Sequence, residues 1–404
     1  MEQKKNLHKW IILLAVLVVL LIVLVTLLFT LGKPDGEGTP SWSQVVENLA
    51  DQRSLLLKAG DSVQLNVQDA QNYTFSSSRP GSVTVDSSGK VTAVKKGNAL
   101  ITITCGEQST HVGVIVDGTG SMIDVTKLAA KPIFSDILLH SHTDITGMAV
   151  DVKNNAIYFT QSYGPSAYNP LNSDTMITKV ALLPDANGVK TWQRDSWMRF
   201  YGSGKGSIAL DNDGETVRLW MESNGSFMGY GTTVSLTEWT DYGYGYDQYG
   251  STFEMTGPTG TMMPSVDVDG DLVVVYDRGT KSYMLFDRSD MLGGNANPVY
   301  LHKFSCAGHQ QPAAGVDESQ GRYNASIRGF ALYNGYLYQV SGSSSIYISV
   351  FDLQGNLQYC HRVTDYPELE TRKPASIAIV DGKIYLAIAS GDSTCYLANA
   401  WVFE

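Results

Sequence analysis

The feature that most limits what this chain can fold into is a unit repeated along residues 124–404. Five segments carry it: Gly147 to Thr160, Ser207 to Trp220, Ser265 to Tyr276, Gly329 to Tyr338 and Ser376 to Leu386. Each holds a small residue, a short apolar strand, a turn of Asn, Asp or Gly, and a second apolar strand. Asn-Gly and Asp-Gly supply the positive φ angles that two-residue hairpin turns require. Further β-patterned runs follow four of the hairpins, at 175–182, 232–239, 282–287 and 346–352. The unit is therefore about four strands, and five such units describe a five-bladed β-propeller over 124–404. Two separate sandwiches would account for the repeat less well.

The second constraint lies at the other end of the chain. Residues 11–31 read IILLAVLVVLLIVLVTLLFTL, without a charge and with only Thr26 and Thr30 as hydroxyls. At 1.5 Å per residue such a helix spans roughly 30 Å, the thickness of a hydrocarbon core. Lys4, Lys5 and Lys9 precede it, and Lys33, Asp35 and Glu37 follow. The positive-inside bias then predicts a cytoplasmic N-terminus (1–10), a transmembrane helix (11–31) and export of the rest. A cleaved signal peptide fits less well: its apolar region is shorter, and Thr30-Leu31-Gly32 is a poor cleavage site. No Cys follows the run to make a lipoprotein. The expected location is the cell membrane, single-pass, with the C-terminal part extracellular. Residues 32–54 read as a linker, flexible through its Gly/Pro-rich start, with a short helical or irregular lead-in from Ser41 to Arg53.

Between these regions, residues 55–117 alternate with period two in short runs broken by turns. Val63–Val67, Val83–Val85, Lys90–Val94, Ala99–Thr104 and His111–Val116 read as strands of a small β-sandwich. The stretch from Ser76 to Asp86, with Gly89 to Ile103, resembles the bacterial immunoglobulin-like domain, group 2. Phe75 stands where that family usually has Trp, and Arg79 where Asn is common. The resemblance implies a spacer or stalk, in keeping with the absence of any catalytic cluster in the segment. The fold class is then an all-β extracellular region, a small immunoglobulin-like β-sandwich plus a five-bladed β-propeller, behind one N-terminal transmembrane helix.

The repeat region carries a second resemblance. Asp195 to Asp211, Leu219 to Glu222 and Ile157 to Gln161 are similar to the five-bladed propeller of phage receptor-binding proteins, helveticin J-type bacteriocins and the teichoic acid biosynthesis protein C group. A His common near Ser203 in that pattern is absent here. The resemblance implies binding to a bacterial cell-wall glycopolymer and does not imply catalysis.

Charge narrows the partners. The chain carries a net −11, which argues against nucleic acid and against broad adhesion to anionic lipid. Charged residues are only 17% of the total. A propeller places its ligands where the loops entering the innermost strands converge. Those loops hold Lys205, Arg322, Arg328, Arg372 and Lys373, a set suited to phosphate or carboxylate groups. The same residues would also serve as separately solvated loop cations. Asp241 to Gly250 places Tyr242, Tyr244, Tyr246 and Tyr249 in a Gly-rich stretch. Exposed, they would offer stiff half-polar surfaces to a sugar or a protein partner; otherwise they form an aromatic hairpin packed on its own domain.

No catalytic, metal or cofactor constellation emerges. Asp267–Asp271 and Asp211–Gly214 resemble calcium loops, but Leu272 occupies the position that needs Gly, and both read as hairpin turns. His140, His142 and Asp144 lack the further ligands of a metal set. There is no nucleophile elbow and no phosphate loop. Cys105, Cys306, Cys360 and Cys395 lie in a region where disulfides are allowed, and Cys360 with Cys395 is the pair that neighbouring blades could bring together. The expectation is a non-enzymatic surface-binding protein. The alternatives are a propeller enzyme acting on a glycan, with Asp144, His142 and Glu222 its least implausible members, and an adhesin that uses the Tyr-rich loop.

Overall fold

A computed structural model describes residues 41–137, 139, 145–163, 174–183, 196–200, 205–212, 217–224, 232–238, 253–256, 266–277, 280–292, 298–306, 327–342, 346–363, 373–392 and 395–404. The apolar run at 11–31 lies outside them. Among the described residues no helix is long and apolar enough to cross a membrane.

The first unit opens with a helix, α1 (Trp42–Asn48), in the stretch read above as a short lead-in. Its start is a capping box. The Ser41 N–H donates to Gln44 Oε1 at 2.7 Å, and the Gln44 N–H donates back to Ser41 Oγ at 3.4 Å. Val45 and Leu49 then bury one face of the helix against the sandwich behind it. That sandwich pairs a four-stranded with a three-stranded sheet. The first joins β1 (Ser54–Leu57), β7 (Gln108–Val116), β6 (Gly97–Cys105) and β3 (Thr74–Ser77) in that order. The second joins β2 (Ser62–Gln64), β5 (Lys90–Ala93) and β4 (Val83–Val85). Alternate residues Ala99, Ile101 and Ile103 of β6, and Val112, Val114 and Val116 of β7, point into one core with Leu65, Val83 and Val91.

Beyond this unit, β8 (Ala130–Ile137) leads into five four-stranded antiparallel sheets. Sheet one holds β9 (Ile145–Asp151), β10 (Ala156–Tyr163), β11 (Asp174–Ala181) and β12 (Ser196–Phe200). Sheet two holds β13 (Lys205–Asn212), β14 (Val217–Asn224), β15 (Thr232–Glu238) and β16 (Phe253–Thr256). Sheet three holds β17 (Val266–Asp269), β18 (Leu272–Asp277), β19 (Ser282–Asp287) and β20 (His302–Phe304), with a short helix α2 (Arg288–Leu292) after β19. Sheet four holds β21 (Ile327–Tyr333), β22 (Tyr336–Ser341), β23 (Tyr347–Asp352) and β24 (Leu357–Arg362). Sheet five holds β25 (Lys373–Val380), β26 (Lys383–Asp392) and β27 (Cys395–Phe403), and β8 is its fourth strand. The strand that enters the repeat thus pairs with the strand that ends it.

The first strands of the sheets meet in a closed cycle: β9 touches β13, β13 touches β17, β17 touches β21, β21 touches β25, and β25 returns to β9. Period-two alternation makes this possible, because each strand sends neighbouring residues to opposite sheets. In β10, Ile157 and Phe159 pack toward sheet five while Tyr158 packs toward sheet two. In β18, Val273 and Val275 join the core shared with sheet two, and Val274 joins the core shared with sheet four. The same arrangement accounts for the glycine at the head of the first and fourth repeats. A Cβ on Gly147 would lie 2.9 Å from Ile208 N, and one on Gly329 would lie 2.8 Å from Ile377 N, so the inner strands approach too closely there for a side chain. At the other end of these strands, Asn334-Gly335 and Asp381-Gly382 adopt positive φ at both turn positions, as the sequence predicts.

Candidate functional site

The inner strands share a direction, so their upstream ends form one mouth of the ring and their hairpin turns the other. Chemistry differs between the two. Lys205 opens β13, Arg328 is the second residue of β21, and Lys373 opens β25, which puts three sequence-predicted basic residues at upstream ends. Arg328 is half-buried, and its Nε–H donates to the Gly342 carbonyl at 3.4 Å. Lys373 is also half-buried. Arg322, Arg372, Tyr242, Tyr244, Tyr246 and Tyr249 lie outside the described residues, as do His140, His142 and Asp144.

The hairpin ends carry carboxyl groups, and these tie sheet one to two, two to three, and three to four. At the end of β9, Asp151 accepts from the Asn154 N–H (3.1 Å), from Asn154 Nδ2 (2.8 Å) and, across the gap to sheet two, from Asn212 Nδ2 (3.0 Å). At the end of β13, Asp211 takes both forks of Arg288, Nε at 2.8 Å and Nη2 at 2.6 Å, and the Trp220 indole N–H at 3.2 Å. That bidentate pair links sheet two to the first residue of α2, beside sheet three. In β17, Asp267 accepts the Leu332 N–H of sheet four at 2.6 Å and Asp269 accepts the Asn334 N–H at 3.1 Å. Burial pushes the Asp267 carboxyl up to about 8, against the opposing pull of its backbone donors, so at neutral pH it holds its proton. By accessible surface the residue is half-buried. Burial raises Asp269 as well.

Between these ends lies a cavity of about 410 Å³, bounded by β9, β13, β17 and β25. Its polar lining is Asp151, Lys153, Asn212, Asp267 and Asp381, above an apolar wall that includes Met148 and Ile208. Sequence reasoning directed attention to the opposite mouth and read the Asp-rich segments as simple turns. Asp267–Asp271 does form a hairpin turn, but Asp211 and Asp267 also bond sheet to sheet, which turn chemistry alone does not signal. Among the described residues, no group of three or more His, Cys, Asp or Glu side chains is placed to hold a metal ion. Cys105, Cys306 and Cys360 are free thiols, so Cys360 is not bridged to Cys395; it instead accepts from the Ser349 hydroxyl at 3.3 Å.

A seven-stranded two-sheet sandwich with turns at Asp86–Gly89 and Lys96–Gly97 is the geometry expected of the resemblance noted above. Residues 49–116 match the bacterial Ig-like domain (group 2) family. The match begins upstream of the predicted boundary at residue 55, at Leu49, the residue through which the end of α1 packs into the core. No curated protein matches the chain. Among solved structures, the tail fiber of Staphylococcus aureus phage P68 superposes over 69% of this chain and 53% of its own, with 16% identity and a TM-score of 0.50. The likeness shows the fold alone, and the matched part spans about half of the tail fiber. A glutaminyl cyclase from Myxococcus xanthus (13% identity, 68% of this chain and 97% of that one, TM-score 0.35) and a GH43_1 enzyme from Xanthomonas citri complexed with xylotriose (11%, 68% and 90%, 0.36) are more distant. The Ig-like domain and the ring of sheets are therefore two β-rich structural units of one chain.

Proposed function

We propose that this chain is a membrane-anchored bacterial surface protein whose ring of five sheets is a five-bladed propeller that recognises an anionic cell-envelope glycopolymer. The observation that carries this reading is the polarity of the ring. In a chain of net charge −11, the inner strands open on Lys205, Arg328 and Lys373, while their far ends hold Asp151 and Asp381, with Asp211 already paired to Arg288 and Asp267 neutral. A polyanion is attracted to the first mouth more than to the second. The closed cycle of inner strands supports the propeller, and the tail-fiber likeness is consistent with it in fold. The apolar run at 11–31 supplies the anchor.

Sedimentation of residues 41–404 with purified cell walls, with and without their anionic polymer stripped, tests the reading. The bound fraction should fall on stripping, and also on replacing Arg328 and Lys373 together by Gln. Equal sedimentation with both wall preparations would overturn it.

A further inference from the structure

The Ig-like domain does not stand clear of the ring. Arg79, the residue that replaces the family's common Asn, reaches out of the sandwich. Its Nη2 donates to Asp287 Oδ1 at 2.9 Å and to Ser289 Oγ at 2.6 Å, and its Nη1 lies 3.5 Å from Asp271 Oδ2. The same Nη1 donates to Asn98 Oδ1 at 3.1 Å, and Asn98 Nδ2 donates to the Asp271 carbonyl at 3.3 Å. Nearby, His302 of sheet three bridges both units. Its Nε2 faces the Leu353 carbonyl at 2.6 Å and so carries the proton, which leaves Nδ1 to accept from the Ser54 hydroxyl at 2.5 Å.

Apolar packing follows the same line. Leu56, Leu100 and Ile115 of the Ig-like domain pack into one cluster with Leu285, Leu301, Phe351 and Leu353 of the ring. At Gly113 the two backbones come so close that an added Cβ would lie 1.8 Å from the Leu301 carbonyl oxygen. The connecting chain is held down as well. The Gly120 N–H donates to the Asn334 carbonyl (2.7 Å), the Ile123 N–H to Tyr338 OH (2.7 Å) and the Val125 N–H to Tyr359 OH (3.1 Å). Ala129 then exchanges backbone hydrogen bonds with Glu404 at 3.1 and 3.2 Å, and β8 begins.

The ring residues involved share one location. Asp271 and Asn334 sit in the turns after the first strands of sheets three and four, Asp287 ends the third strand of sheet three, and Ser289 and Leu353 follow third strands. In an antiparallel meander these turns fall at one end, the hairpin end. We propose that the Ig-like domain is a fixed base clamped to the hairpin end of the ring, so that the mouth bearing Lys205, Arg328 and Lys373 faces away from the N-terminal side of the chain. What that mouth binds rests on the function proposed above; the clamp does not. It gives the head one orientation, where a stalk on a free linker would let it tumble. An orientation fixed away from an N-terminal anchor suits a partner that approaches from outside, such as a polymer displayed beyond the membrane.

The test is small-angle scattering and thermal melting of residues 41–404, wild type against Gly113→Ala and against Arg79→Ala. In Gly113→Ala the new methyl clashes with the ring backbone. Arg79→Ala removes the clasp from a surface position without touching either core. The wild type should give a compact profile and a single melting transition. Both variants should show a larger maximum dimension, with melting split into two transitions, more in Gly113→Ala than in Arg79→Ala. A wild-type profile that needs an ensemble of domain orientations, or variants that match the wild type in both readouts, would overturn the proposal. Neither readout involves the wall, so failure of the polymer reading would leave both results unchanged.

Discussion

Asp267 shows how one carboxyl can serve the ring in its neutral form. Its folded-state pKa of about 8 lies above the ordinary 3.8, so the folded protein holds this proton more tightly than the unfolded chain does. The sign follows: its contribution to stability is full below about pH 4 and is lost as pH rises through 8, at most ~1.4 kcal/mol per pH unit. Asp267→Asn keeps an acceptor for the Leu332 N–H and removes the titration. Thermal melting of the wild type and Asn variant at pH 5 and pH 8.5 checks this. The wild type should lose about 2–4 kcal/mol more than the variant over that interval, and parallel losses would show that another group titrates. Asp211 represents the opposite solution. It is 6% exposed yet holds a bidentate Arg288 and an indole N–H, the satisfied geometry that a buried charge requires.

Among the elements, the segment between the Ig-like domain and β8 is held in place by contacts more than by regular structure of its own. Nothing in Gly118 to Ala129 has a strand or helix period. Tyr338 and Tyr359 hold it instead. Tyr359 OH accepts the Val125 N–H and donates to the Ile123 carbonyl, and burial pushes its own ionisation well up. Tyr359→Phe strips both backbone groups of their partner and should destabilise the protein by about 1–3 kcal/mol. Denaturant unfolding measures that loss. Increased proteolysis within 118–129 should accompany it, because the segment leads directly into the strand that completes sheet five. An unchanged midpoint and cleavage rate would show that the segment is held by its other bonds alone.

At the scale of the whole molecule, the contact between the two units contains a titratable latch. Burial lowers the His302 pKa, with the Leu353 carbonyl opposing, and Phe304 stacks 5.5 Å away. A histidine depressed in the docked state contributes stability above the ordinary value near 6.5 and loses it as pH falls. The scattering profile of residues 41–404 should therefore expand between pH 7.5 and pH 5, and His302→Gln should expand less over that interval. A profile unchanged by acid would remove His302 from the latch. The proposed clamp would set the mouth that bears Lys205, Arg328 and Lys373 opposite the Ig-like domain.

Much of this was legible in local chemistry. The Asn-Gly and Asp-Gly pairs, the period-two runs and the small residue heading each repeat predicted hairpins, strands and the count of sheets, because turn angles and strand faces depend on a few adjacent residues. Ser41-Trp42-Ser43-Gln44 also spelled out a capping box that forms α1, a signal the sequence reading passed over. Contacts between distant segments were not legible. Asp211 with Arg288, Asp267 with the Leu332 N–H, and Arg79 with Asp287 are separated by 77, 65 and 208 positions, and no periodicity encodes such partners. Arg79 could be seen only as a departure from a family pattern, and Gly113 only as a glycine within a strand. Tertiary structure alone decided that both are where a second unit docks, because docking depends on shapes that exist only after each unit has folded.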